Sequence, residues 1–233
     1  MGDPRDESGG RDVAAIYAEA AAGYDRSTER LSRWLGFSEA RYRQLAVEAL
    51  ELGPGDTVVE IGCGTGLNHP AIQEKIGPAG RIIGVDLTRE MLDRAEHQAR
   101  ERGWRNVELV HSDALAFRFP GDVDGVLSTF VLSFLPDCRP VIEAGAAALA
   151  PGRRWAITDQ KLPRFGQRIT SAAFVALTGK RYGITTEMMM SRRWEAAREA
   201  LGGHLEDIRW TERYFGFVFV ASGTAPDPRN HLP

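Results

Sequence analysis

Glu60, followed by Gly62, Gly64 and Gly66, stands in the stretch VVEIGCGTGLNHP, residues 58–70. Glycines at alternate positions permit positive φ and let ligand atoms rest on bare backbone, while the helix that follows exposes unpaired N–H groups. That combination binds a ligand. A dinucleotide fingerprint, GxGxxG, would need glycine at position 67, where the chain carries Leu67. A carboxylate two residues before the first glycine opposes a phosphate and suits an ammonium or a sulfonium. The ligand implied is a nucleoside with a cationic amino-acid tail.

Asp86 closes the next apolar run, 20 residues after Gly66, where a carboxylate can accept hydrogen bonds from two hydroxyls of an unphosphorylated ribose. Asp113 and Ala114 follow a third run, placed so that the Asp113 side chain can take the exocyclic amine of an adenine. The apolar stretch STFVLSF, residues 128–134, can wall the pocket. Groups able to take a proton or orient an acceptor are Tyr17, Tyr24, His69, His111, Asp159, Tyr182 and His204. Asp159 ends a fifth apolar run and is expected to face the acceptor, with capping of backbone donors as the alternative. Met188, Met189 and Met190 either shape an apolar acceptor pocket or pack in the core.

These residues need elements to hold them. TVVEIG (57–62), RIIGVDL (81–87), NVELVHS (106–112), VDGVLSTF (123–130) and RRWAITDQ (153–160) are short, apolar and rich in β-branched residues, as strands are. Between them LNHPAIQEKIG, TREMLDRAEHQARERG and CRPVIEAGAAALAPG read as helices that stop at Gly or Pro. Alternation of this kind predicts an α/β fold, a doubly wound and mostly parallel sheet covered on both faces. The helix SRRWEAAREALGG is then followed by HLEDIRWTE and RYFGFVFVASG, an expected antiparallel edge pair. The organisation expected is a disordered N-terminus (1–10), a helical lid (11–53) with N-caps at Ser27 and Ser38, a core (54–222) carrying an inserted cap (161–190), and a disordered tail (223–233).

VVEIGCGTG, VDLTREML, VHSDA and the final strand pair together resemble the class I S-adenosylmethionine-dependent methyltransferases, over roughly residues 55–221. The resemblance implies a seven-stranded Rossmann-like sheet with its last strand inserted antiparallel, and S-adenosyl-L-methionine as cofactor. It implies that Glu60, Gly62 and Gly64 line the methionine side, with Cys63 and Gly66 in the same turn. Asp86, Leu87 and Met91 then serve the ribose and adenine, Asp113 and Ala114 the adenine edge, and Ser128 the rim nearest the acceptor. Tyr17 is a further donor contact, and Tyr24 with Asp25 resembles the N-terminal Tyr-Asp pair that closes over the donor. YDRSTERLSRWLG, RERGWRNVELVHSDA and LSFLPDCRPVIEAGAAALAPG are similar to bacterial quinone C-methyltransferases and phospholipid or betaine-lipid N-methyltransferases. In LAPGR, Arg153 stands where a second glycine is usual, a change expected to affect only a turn.

The activity implied is methyl transfer to a quinone-like, aminolipid or secondary-metabolite acceptor, with Tyr24 and Asp159 as candidate catalytic groups. A donor-binding protein without transfer, or one repurposed to another biosynthetic step, is the alternative, and a nucleotide-dependent oxidoreductase the third reading. A net charge of -3 argues against a nucleic-acid partner. Cys63 and Cys138 form neither a disulfide framework nor a metal-ligand pattern, so no metal and a reducing cytoplasm are expected. Lys161, Arg164, Arg168, Lys180 and Arg181, with Phe165, Phe174 and Tyr182 among them and no acidic residue from 161 to 186, can rest on an anionic bilayer through 161–181 or form a solvated face.

Overall fold

The computed structural model describes residues 38–161 and 192–227. Tyr17, Tyr24, Asp25, Tyr182, Ser27, the methionine run, most of the expected lid and nearly all of the cap lie outside them. In chain order the elements are α1 (Glu39–Glu48), β1 (Thr57–Ile61), α2 (His69–Ile76), β2 (Arg81–Asp86), α3 (Arg89–Glu101), β3 (Val107–His111) and β4 (Val123–Thr129), then α4 (Arg139–Ala148), β5 (Leu149–Gln160), α5 (Arg193–His204), β6 (Glu206–Arg213) and β7 (Val218–Thr224). All seven strands form one sheet in the order β3-β2-β1-β4-β5-β7-β6. The first five pair in parallel, and β7 enters antiparallel between β5 and β6. The expected seven-stranded, doubly wound α/β sheet is the fold observed.

Strand alternation sorts side chains onto two faces, each with its own core. Val58, Ile82, Leu127 and Ala156 meet Ala46, Val47, Ile72 and Ile76 from α1 and α2. Val59, Ile61, Val126, Trp155 and Ile157 pack instead with Val141 and Ile142 of α4 and Leu201 of α5. Both faces are therefore dry. The apolar, β-branched central strands carry no polar outward face because they need none, while the edge strands β3 and β6 keep exposed polar side chains such as Glu108 and Arg209.

Ser38 caps α1, its hydroxyl accepting from Arg41 N at 3.2 Å. Loss of an N-cap hydroxyl costs about 1 kcal/mol. Ser38→Ala is accordingly expected to lower unfolding free energy by that amount in a urea titration, with no change in ligand affinity.

β5 departs from expectation at its start, since it begins at Leu149 and so runs through LAPGR rather than starting after it. Leu149 pairs with Val123 before the register shifts to Arg154 opposite Gly125. Arg153 bridges Asp56 Oδ1 at 3.1 Å and Asp124 Oδ1 at 2.8 Å, and Asp124 also accepts from Thr57 N. Arginine here clamps the amino ends of β1, β4 and β5, at the opposite end of the sheet from the glycine loop.

Candidate functional site

The carboxyl ends of β1, β2, β3 and β4 converge where the strand order reverses, with β1 between β2 and β4. An open α/β sheet offers its ligand crevice at such a switch point. Gly62, Gly64 and Gly66 leave β1 there with φ of 68°, 55° and 83°. Their roles differ. A Cβ at Gly62 would lie 2.4 Å from Val131 Cγ2, and one at Gly66 would lie 2.7 Å from the His69 ring. Only a Cβ at Gly64 would meet nothing within 4 Å. Two of the glycines thus make room for the protein's own side chains, and the third turns toward open space at the crevice.

Asp86 organises that loop. Its Oδ2 accepts from Gly64 N at 2.8 Å and its Oδ1 from Thr88 N at 2.9 Å. Burial pushes its carboxyl above the ordinary aspartate range, and the N–H groups of Thr88 and Gly64 pull it part of the way back. A carboxylate has about four acceptor sites, so acceptor capacity remains after these two backbone bonds, on which the Thr88 side chain also draws. Leu87 beside it is exposed, and its carbonyl lies 2.8 Å from His111 Nε2, which ties the ends of β2 and β3.

Glu60 lies beneath the loop and is 0% exposed. Its Oε1 accepts from Asn68 Nδ2 at 2.6 Å; the same amide nitrogen donates to Thr129 Oγ1 at 2.9 Å. Glu60 Oε2 lies 3.4 Å from His69 Nε2, and neither atom has a hydrogen-bond partner among the described residues. Arg43 of α1 donates to Thr129 Oγ1, pairs with Glu39 and sits 5.1 Å over the Phe130 ring. Phe130 itself holds φ of 55°, a strained conformation at the end of β4. A polar chain from α1 through β4 to the glycine loop results. Sequence reasoning reached Glu60 and His69 in this chain and placed Thr129 and Phe130 in a pocket-walling stretch, but missed Arg43 and Asn68.

Several expected residues sit otherwise than their types implied. Ser128 is fully buried rather than at a rim, because alternation turns it to the α4 face, where its hydroxyl accepts from Trp155 Nε1 at 3.2 Å. Met91 is buried on α3, and Ala114 packs partly against the core. Cys63 turns toward β2, where a Cβ on Gly84 would come within 2.9 Å of its sulfur. Burial, with Glu60 and Asp86 nearby, pushes its thiol well up, and burial raises Cys138 to about 11, so neither is a nucleophile at neutral pH. Asp113 is exposed and its Oδ1 accepts from Leu115 N at 2.9 Å, a local turn bond. Lys161, expected in a basic surface stretch, is instead buried, paired with Glu212 and placed 4.5 Å over the Trp194 ring.

Asp159 is 2% exposed. Its carboxylate accepts from Ser133 N at 2.9 Å, Ser133 Oγ at 2.8 Å and Gln160 N at 2.7 Å. It caps the short turn after β4, as a structural carboxylate does. Asp159→Ala is expected to lower stability by about 1–3 kcal/mol, since three donors lose their acceptor. Turnover measured on folded protein should change less than about tenfold, the smallest effect ordinarily seen for a general base being larger.

An open α/β sheet with a glycine loop, a carboxylate that holds it and a buried glutamate beneath it, all at the switch point, is the architecture of a nucleotide- or nucleoside-binding domain. Comparison with known proteins makes the class specific. The family model for a methyltransferase domain matches residues 58–152. Demethylmenaquinone methyltransferase of Listeria welshimeri is 28% identical over 152 residues, 65% of this chain and 63% of that protein, so the chain spans less than two thirds of it. Aklanonic acid methyltransferase of a Streptomyces species is 32% identical over 156 residues, 66% of this chain and 68% of the relative. The crystal structure of an S-adenosylmethionine-dependent methyltransferase from Aquifex aeolicus superposes with a TM-score of 0.55 at 20% identity, covering 81% of this chain and 99% of that one, and shares the fold. The chain belongs to the class I S-adenosylmethionine-dependent methyltransferases, and its likeness runs to their quinone C-methyltransferase group.

The residues present fit the cofactor that this family uses. Asp86 has acceptor capacity left for a hydroxyl, and Gly64 presents bare backbone. The unpartnered oxygen of Glu60 supplies the sign of charge that favours a cation and disfavours a phosphate.

Proposed function

We propose that this protein transfers a methyl group from S-adenosyl-L-methionine to a small or lipophilic acceptor, a quinone-like ring, an aminolipid or a secondary metabolite. The observation that carries the reading is the pairing of Asp86 with Gly64 N above the buried Glu60 carboxylate, whose Oε2 accepts no hydrogen bond among the described residues. The bound cofactor supplies an electrophilic methyl on a sulfonium, which an acceptor atom takes in line as its proton leaves to water and a neutral thioether remains.

The chain's own contribution is alignment. Asp86 and the loop N–H groups fix the nucleoside, Glu60 biases the amino-acid end, and Phe130 with Arg43 holds the edge of the crevice in place. Orientation of two reactants is worth about 7–11 kcal/mol, enough to carry displacement without a strong base. Asp159, with its oxygens committed to Ser133 and Gln160, supports that economy. The proposed donor contacts are Glu60 and Gly64 in the turn that Gly62, Cys63 and Gly66 shape, Asp86, Leu87, Asp113 and Ala114 along the nucleoside, and Tyr17 from the N-terminal segment. Residues 11–53 and 161–190 enclose the acceptor, with Tyr24 closing over the donor. No helix among the described residues is long and apolar enough to cross a membrane.

Purified protein incubated with methyl-labelled donor and a panel of quinones, aminolipids and phenols tests the proposal. Label in one acceptor class supports it. Tight donor binding with no transfer to any acceptor favours a donor-binding protein instead.

A further inference from the structure

The turn joining β6 to β7 is made of Tyr214, Phe215 and Gly216, with φ of 49°, 55° and 84°. Two successive non-glycine residues in the left-handed region are strained. Phe215 is also 89% exposed, more than any other large hydrophobic side chain described. Strain and an exposed ring both oppose folding, so neither is explained by the fold's own stability.

The position of the turn is informative. Gln160 lies opposite Val218, and Lys161 N donates to Phe217 O at 2.9 Å. This places the turn at the carboxyl end of β5, the end of the sheet that carries the glycine loop and Asp86. Arg213 directly precedes the turn, and Arg41 and Arg213 bear electrostatically on the Tyr42 hydroxyl, as does Tyr214 of the turn itself. Both arginines are exposed, and neither has an ion-pair partner among the described residues. An apolar ring on a tight turn, with exposed arginines that have no ion-pair partner among the described residues, suits the headgroup boundary of an anionic bilayer.

We infer that this turn docks on an anionic lipid surface, with Phe215 entering the acyl boundary and Arg41 and Arg213 facing the headgroups. The crevice then opens toward the membrane, from which a lipophilic acceptor is taken up; this last step rests on the acceptor reading proposed above.

The test is sedimentation of the full chain with vesicles of phosphatidylcholine and phosphatidylglycerol in equal parts, against phosphatidylcholine alone. Binding is expected to the anionic vesicles and to fall as salt rises. Phe215→Ser should weaken it about tenfold or more, and Arg213→Ala about fivefold. Phe215→Cys carrying an environment-sensitive dye should report an apolar shift only when vesicles are added, Cys63 and Cys138 being buried. Absence of binding, equal binding by Phe215→Ser, a dye already in an apolar setting without vesicles, or self-association that Phe215→Ser abolishes would each overturn the inference. Titration with S-adenosylhomocysteine, and transfer to a short-chain soluble acceptor, should be unchanged in Phe215→Ser. If those fail in the parent protein, the enzymatic reading falls and not the docking surface.

Discussion

Asp86→Ala lowers the affinity for S-adenosylhomocysteine by about 10²-fold or more while the protein stays folded. The wild-type carboxylate holds Gly64 N and Thr88 N, and its remaining acceptor capacity is the part proposed to take ribose hydroxyls. Hydrogen bonds to a charged acceptor contribute about 1.5–3 kcal/mol each, so loss of two converts to about 10² to 10⁴ in the dissociation constant. Release of the Gly64 amide loosens the loop as well. Asp86→Asn, which keeps the shape but offers one acceptor oxygen, should fall between. Calorimetric affinity within about fivefold of wild type in Asp86→Ala would show that the ribose is bound elsewhere.

The second large effect separates two glycines that look alike in the sequence. Gly62→Ala places a methyl 2.4 Å from Val131 Cγ2 at φ of 68°. Left-handed backbone costs an L-residue about 1–2 kcal/mol and overpacking about 1–3 kcal/mol, so chemical denaturation should show a loss of about 2–5 kcal/mol. Val131→Ala in the same chain should return the overpacking share and leave the backbone share. At Gly64 an added Cβ meets no protein atom within 4 Å. Gly64→Ala should therefore lose only about 1–2 kcal/mol of stability while donor affinity falls by more than tenfold. Equal losses of affinity in both variants at equal stability would mean that Gly64 does not face the ligand.

That contrast shows what a sequence can and cannot carry. Strand identity was legible because β-branched apolar runs bounded by Gly and Pro have few other uses, and Ser38 was legible as a cap from its place before an amphipathic run. The antiparallel pair at the end followed from the short connection, which a parallel crossover could not use. Partners set by register were not legible. Asn68 meets Thr129 across 61 positions and Arg43 meets it across 86, contacts that exist only because β1 pairs with β4 as Glu60 opposite Leu127. The same register explains Ser128, since one step along β4 exchanges the crevice side for the face packed under α4. Asp159 was legible as a strand-end carboxylate with two roles open to it, and its bonds to Ser133 are those of the capping one, a partner whose approach depends on the fold of the turn after β4. Arg153 likewise looked like a turn variation, and only the convergence of Asp56 and Asp124 gives it a partner.

A titration calorimetry experiment with two ligands bears most directly on the central claim that a loop held by Asp86 over buried Glu60 accepts an adenosyl sulfonium or its thioether and refuses a pyrophosphate. S-adenosylhomocysteine should give a saturable single-site isotherm, and NAD should give no heat above dilution. Binding of NAD, or silence toward S-adenosylhomocysteine by protein whose circular dichroism shows the sheet intact, would contradict it.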